Sequence, residues 1–160
     1  MEFEYTITED EYVKANKLFT KPAKTTLVAY AVVVLALLVI AVIAPSYVVK
    51  IGAIGGVSGG FLGHMAVRHL YAPWRTRKQY RAYQAAQESV AVKVLPDSLL
   101  FKSSIGEAVI EWSRINKWRE NGEFLLIYQA PEVYHIIPKR VGETIREVRK
   151  SLVKYVGKET

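Results

Sequence analysis

Between Thr25 and Ala44 the chain runs for twenty residues, TTLVAYAVVVLALLVIAVIA, without a charge. As a helix rising about 1.5 Å per residue this segment spans about 30 Å, the thickness of bilayer hydrocarbon. Valine, isoleucine and leucine fall on every side of that helix, which excludes an amphipathic surface helix. A cleaved secretory signal is the competing reading. It fits badly, because five acidic residues stand among the 24 that precede the run and no small-residue cleavage site follows. The segment is expected to cross a membrane, and the rest of the chain has to be arranged around it.

Pro45 and Ser46 form a short turn, and a second apolar segment extends from about Tyr47 to Leu70. Residues 25–71 therefore read as a transmembrane hairpin, with spans at about 25–44 and 47–70. The core of the second span, Ile51 to Val67, has no charge but is rich in glycine. Gly52, Gly56 and Gly60 recur every four residues, as do Gly55, Gly59 and Gly63, giving two adjacent stripes on one helix. In a soluble helix six glycines cost on the order of 5 kcal/mol against alanine. Close packing through small-residue faces would offset that cost. These six glycines are the expected helix-packing residues, against the first span or against another copy in a homo-oligomer. A pore-lining use, as an oligomeric channel or transporter-accessory subunit, is the alternative function.

Basic residues flank both spans. Lys14, Lys17, Lys21 and Lys24 precede the first, and Arg68, Arg75, Arg77, Lys78 and Arg81 follow or end the second, while the turn offers only Lys50. Lys50 is placed to snorkel toward the interface. The positive-inside rule then puts both termini in the cytoplasm, and Tyr71 and Trp74 fall at headgroup level. Much of the net charge of +7 is thus topological, and no nucleic-acid partner is expected. The absence of cysteine excludes disulfides and thiolate chemistry.

Around the hairpin the chain reads as α+β. Residues 1–24 give an alternating strand from Glu2 to Thr8 and then a helix through about Phe19, opened by the capping-box pair Thr8 and Glu11. That strand is expected to join the sheet formed by the far end of the chain. Residues 72–89 are a basic helical connector after a break at Pro73, either continuing the span or lying along anionic headgroups. In residues 90–160 the period switches to two. Ser89–Leu95, Ser98–Ser103, Ala108–Trp112, Ile115–Glu120, Glu123–Gln129 and Val133–Ile137 are strand candidates in an antiparallel meander, with Asn121-Gly122 as the clearest hairpin signal. Phe124 to Tyr128 is apolar throughout, as a strand buried on both faces would be. Val141, Ile145, Val148, Leu152 and Tyr155 form the apolar stripe of a closing helix, with Arg146, Lys150 and Lys154 opposite and Glu143 and Glu147 spaced to pair with them.

The opening Tyr5-Thr6-Ile7-Thr8-Glu9-Asp10-Glu11-Tyr12, the adjacent spans, and the pair Ile110-Glu111-Trp112-Ser113-Arg114-Ile115 and Ile136-Ile137-Pro138-Lys139-Arg140 resemble the YcxB-like family of bacterial membrane proteins. The resemblance covers almost the whole chain. It implies a small PH-like sheet closed by a C-terminal helix, on the cytoplasmic side of the bacterial inner membrane, and no settled activity. Ile110, Trp112 and Ile115 read as core and Trp118 as an edge residue. Lys139 and Arg140 fall near the start of the final helix, where backbone N–H groups favour anions. They either contact a phosphate headgroup or acidic partner, or pair with Glu107, Glu111 or Glu120. The turn Leu95-Pro96-Asp97-Ser98 carries a negative charge where phosphoinositide-binding PH domains carry basic ones, so headgroup contact falls to Arg75, Arg77, Lys78, Lys139 and Arg140 together.

Candidate chemistry is sparse. His64 and His69 lie near the end of the second span, and His135 lies in a strand with its ring toward solvent or a partner. The two aspartates, Asp10 and Asp97, occupy cap and turn positions. No nucleophile–base pair, phosphate loop or metal-ligand spacing is visible. The expectation is a non-enzymatic, cofactor-free interaction module held in membrane lipid, binding a protein or lipid partner.

Overall fold

In the computed structural model, which describes residues 2–159, the first alternating segment forms strand β1 (Glu2–Thr6) and pairs antiparallel with β2 (Ser89–Val94), Tyr5 opposite Val90. Two compact units result: Met1–Phe19 with Thr76–Thr160, and Thr20–Arg75.

The first unit holds two antiparallel sheets. One has the order β1-β2-β3-β4, with β3 (Ser98–Ser103) and β4 (Gly106–Glu111). The other has the order β5-β6-β7, formed by β5 (Lys117–Glu120), β6 (Phe124–Tyr128) and β7 (Tyr134–Pro138). Alternation in the strands supplies the core: Tyr5, Val92, Leu99, Phe101 and Ile110 from the first sheet meet Leu125, Ile127 and Ile137 from the second. Helix α1 (Glu9–Phe19) follows the first strand, and its Ala15 and Leu18 cluster with Phe124, Leu126 and Tyr128 on the other face of β6. The strand is apolar at every position because it has a core on each side. The N-terminus of α1 is closed by the expected capping box, with the Thr8 N–H donating to Glu11 Oε2 at 2.9 Å and the Glu11 N–H donating to Thr8 Oγ1 at 3.3 Å.

The strands do not form one continuous meander. Trp112–Arg114 is a 3₁₀ turn, and the fifth strand starts at Lys117. Trp112 and Ile115 are both buried. Residues three apart lie on one side of a 3₁₀ turn, whereas in a strand they would point to opposite faces. Burying both side chains therefore requires the sheet to break. Trp118, expected at an edge, is a core residue 1% exposed whose Nε1–H donates to the Gly157 carbonyl at 2.9 Å. The Asn121-Gly122 hairpin is held by the Asn121 carboxamide, which accepts the N–H groups of Glu123 and Phe124 at 2.9 and 2.7 Å. Pro138 ends the last strand, and a 3₁₀ turn (Lys139–Val141) leads to Gly142, whose φ of 87° suits only glycine readily. Helix α5 (Thr144–Tyr155) then places Val148 and Leu152 in the main core.

The second unit is an antiparallel helical hairpin of α2 (Lys24–Ile43) and α3 (Tyr47–Ala66). Both are long and apolar enough to cross a membrane by length and composition. Apart from Ala53, none of their side chains is buried, and Leu35, Val42 and Val48 are each more than 60% exposed. Helical conformation continues beyond α3 to Ala82 as one run of 36 residues. No break occurs at Pro73. Instead Val67–Tyr71 is a π-helical turn, in which the Ala72 N–H donates to the Val67 carbonyl five residues back, and α4 (Ala72–Ala82) resumes after it. A proline in a helix lacks a donor and crowds the carbonyl four residues earlier, and the wide turn just ahead of Pro73 accommodates both effects.

Replacing Leu152 with alanine removes a fully buried side chain from the main core and should cost about 3 kcal/mol. Urea unfolding of the full chain in mild detergent, followed by tryptophan fluorescence, should show that loss. Lys154→Ala on the exposed side should change stability by less than about 0.5 kcal/mol.

Candidate interaction surface

Of the cationic residues singled out from sequence, Arg77 and Arg140 both meet the first turn of α1. Three acidic residues open α1, where the helix dipole favours them. Each takes up a cation from a distant part of the chain. Glu9 receives Arg81 at 2.8 Å and Arg77 at 3.6 Å, Asp10 receives Arg77 at 3.0 Å, and Glu11 receives Arg140 at 2.7 Å. Arg140 also donates to the Thr6 carbonyl at 2.7 Å. Hydrogen bonding to Arg81 holds the Glu9 carboxyl below its usual range, and hydrogen bonding to Arg140 does the same for Glu11. Around these pairs Tyr80 donates to the Ile7 carbonyl at 2.7 Å, the rings of Tyr12 and Tyr80 lie 5.5 Å apart, and Thr76 donates to Asn16 at 3.4 Å. The C-terminal end of α4 is thereby clasped to α1.

Lys139 turns the other way. Its Nζ lies 2.7 Å from Glu120, which also receives Arg149 at 2.8 Å. The Glu120 side chain is only 13% exposed. Burial pushes its carboxyl up, but the hydrogen bonds from Lys139 and Arg149 outweigh that and leave it below the usual range. Of the acidic partners weighed from sequence, Glu120 alone takes Lys139; Glu107 pairs with Lys102 and Glu111 with Arg114. Lys139 and Arg140, adjacent in sequence, are thus held by different carboxylates. Arg77, Lys139 and Arg140 are all charge-compensated. Lys78 lies on α4, and Arg75 falls in the other unit. The acidic first turn of α1 was the sequence signal for these partners.

His135 is not solvent-facing. It is half-buried, its ring 4.5 Å from that of Phe101 on the facing sheet, with Nε2 3.3 Å from Gln129 Oε1. Burial pulls its pKa below the ordinary 6.5. Among the described residues no group of three histidine, aspartate or glutamate side chains is placed to hold a metal ion.

On α3, a Cβ added at Gly56 would lie 3.8 Å from Leu37 of α2, whereas at Gly52, Gly55, Gly59, Gly60 and Gly63 it would meet nothing within 4 Å. Most of the glycine face is therefore not used in closing the hairpin. Ala53 of α3 is buried, and the rings of Tyr30 on α2 and His64 on α3 lie 6.3 Å apart.

The folded unit also presents a groove of about 450 Å³ that the sequence did not single out. Val94, Leu95 and Pro96 at the β2–β3 turn form one wall, and Glu147, Lys150, Ser151, Lys154 and Tyr155 of α5 form the other. Trp112 fixes both walls: its Nε1–H donates to the Pro96 carbonyl at 3.2 Å, and its ring stacks parallel to Tyr155 at 6.1 Å. Lys154 sits over the Tyr155 ring at 4.7 Å, and Lys150 pairs with Glu147 at 3.0 Å. The result is a half-apolar channel whose rim carries the Lys150–Glu147 pair and the Lys154 ammonium group.

Most of this groove and the Lys139–Arg140 turn fall in one continuous segment whose identity is recognisable. Residues 94–150 match the YcxB-like protein family. The YcxB-like segment begins at the end of β2 and reaches into α5, so it contains both motifs that carried the resemblance, Ile110–Ile115 and Ile136–Arg140. The hairpin, β1 and α1 lie outside it. Comparison with curated proteins and with solved structures gives no match.

Two measurements follow from this geometry. A buried imidazole with a lowered pKa favours the neutral form, so its contribution to stability is full above pH 6.5 and is lost as pH falls toward its folded value. The unfolding midpoint should decline between pH 7 and 5, and His135→Gln should flatten that limb. The decline from Glu11 and Glu120, whose carboxyls are lowered from 4.5, should remain at more acidic pH. Gly60→Ala, with open space for its Cβ, should raise helix stability by up to about 1 kcal/mol in detergent. Destabilisation would instead reveal a second copy packed on that face.

Proposed function

We propose that this chain is a non-enzymatic, membrane-anchored interaction module of the YcxB-like type in the bacterial inner membrane, with both termini cytoplasmic. One observation carries the reading: a single folded unit is assembled from residues on both sides of an apolar hairpin that has no water-compatible face. Unburied valine, leucine and isoleucine around both helices favour lipid as their solvent. The four-plus-three strand arrangement closed by α5 supports a PH-like fold for the other unit. Basic residues before α2 and after α3 favour the cytoplasmic orientation.

In this reading the partner is a protein segment with an apolar side chain and neighbouring carboxylates, docked in the groove between the β2–β3 turn and α5. Tyr155 offers an aromatic contact, and Lys150 and Lys154 offer positive charge. The open glycines favour a homo-oligomeric form of the same module.

A photo-crosslinking residue at Tyr155 of the full chain in cells should give a discrete protein adduct in the membrane fraction. Lys150→Glu with Lys154→Glu should reduce that adduct about tenfold, because both rim charges become repulsive to an acidic segment. An unchanged adduct would overturn the groove assignment, and a full chain released from membranes by carbonate would overturn the anchor.

A further inference from the structure

The π turn that accommodates Pro73 also opens the helix surface. A shallow, open-sided notch of about 570 Å³ lies there, lined by Ala66, Val67, Leu70, Tyr71 and Trp74. Every lining side chain is hydrocarbon or aromatic. The rings of Tyr71 and Trp74 flank it with centroids 6.0 Å apart, and both are more than half exposed. Tyrosine and tryptophan combine an apolar body with a polar tip, which suits the boundary between acyl chains and headgroups.

Two guanidinium groups bracket this notch in sequence, Arg68 three residues before Tyr71 and Arg75 four residues after it. Neither makes an ion pair or hydrogen bond among the described residues. Arg77 and Arg81, one turn further along, are taken up by Glu9 and Asp10. The contrast has a source in the sequence: from Tyr12 to Gln87 there is no acidic residue. The chain supplies uncompensated positive charge beside an apolar notch, and no carboxylate near it in sequence.

We infer that the π turn is a binding site for an anionic glycerophospholipid, an acyl chain lying in the notch and the phosphate meeting Arg68 and Arg75. The inference rests on the membrane reading above. Charge complementarity selects the occupant. A zwitterionic lipid brings a cation with its phosphate, and a symmetric second copy would bring its own two arginines. A lipid of net negative charge satisfies both the apolar surface and the guanidinium groups in one molecule.

The test uses the full chain in phosphatidylcholine vesicles containing the same small mole fraction of either brominated phosphatidylglycerol or brominated phosphatidylcholine. Trp74 is the reporter, with Trp74→Phe giving the background from the buried Trp112 and Trp118. Quenching should show a preference of roughly fivefold or more for the anionic lipid. Arg68→Gln with Arg75→Gln should abolish the preference, and the double lysine variant should largely retain it. Equal quenching by both lipids would overturn the inference and leave the anchor intact. So would absence of quenching in chain that floats with the vesicles, since protein would then cover the notch. Chain that does not float would overturn the membrane reading itself.

Discussion

Strand β6 is the constraint on which the folded unit depends. Leu125 and Ile127 face the core between the two sheets, and Phe124, Leu126 and Tyr128 face α1. Five apolar residues in succession would leave a half-exposed strand with greasy side chains in water. Here they require two partners, and the second partner comes from the opposite end of the chain. The Tyr5 hydroxyl adds a further tie, donating to the Ile136 carbonyl at 2.7 Å across 131 positions. The terminal segments are integral to the core and not appended to a complete C-terminal domain.

Electrostatics reinforce this closure at the surface. A chain of net charge +7 invites a search for an anion site, yet the acidic first turn of α1 absorbs Arg77, Arg81 and Arg140, while Glu120 absorbs Lys139 and Arg149. Exposed pairs of this kind add little stability individually, about 0 to 1 kcal/mol each. Their value lies in registration, since they fix which turn of α4 meets which turn of α1. Within the folded unit, positive charge therefore serves docking between elements of the chain itself. Arg68 and Arg75, near the second apolar segment, have no acidic residue close in sequence.

Local patterns were legible in the sequence, and their partners were not. The bounds of β3, the capping box at Thr8 and Glu11, the apolar run of β6 and the two long apolar helices follow from spacing alone. The break between the sheets did not, because Trp112 and Ile115 change the period from two to three over only four residues. Arg140 could not be matched to Glu11, which lies 129 positions away. His135 gave no sign of its stack on Phe101, a contact made between sheets. The glycine stripes announced close packing without saying on which side, and only Gly56 turns out to face α2 closely.

The pairing of β1 with β2 has a consequence for biogenesis. During synthesis Glu2–Thr6 emerges first and must wait, unpaired, while the whole apolar hairpin is made and placed, before Ser89–Val94 arrives. A hairpin threaded with its ends on opposite faces of a bilayer would leave β2 without its edge neighbour and β6 without α1. Such a product would expose strand edges and apolar side chains to proteases. In the membrane-anchored reading proposed above, β1 would thus pair with β2 only in chains whose hairpin has both ends on one face.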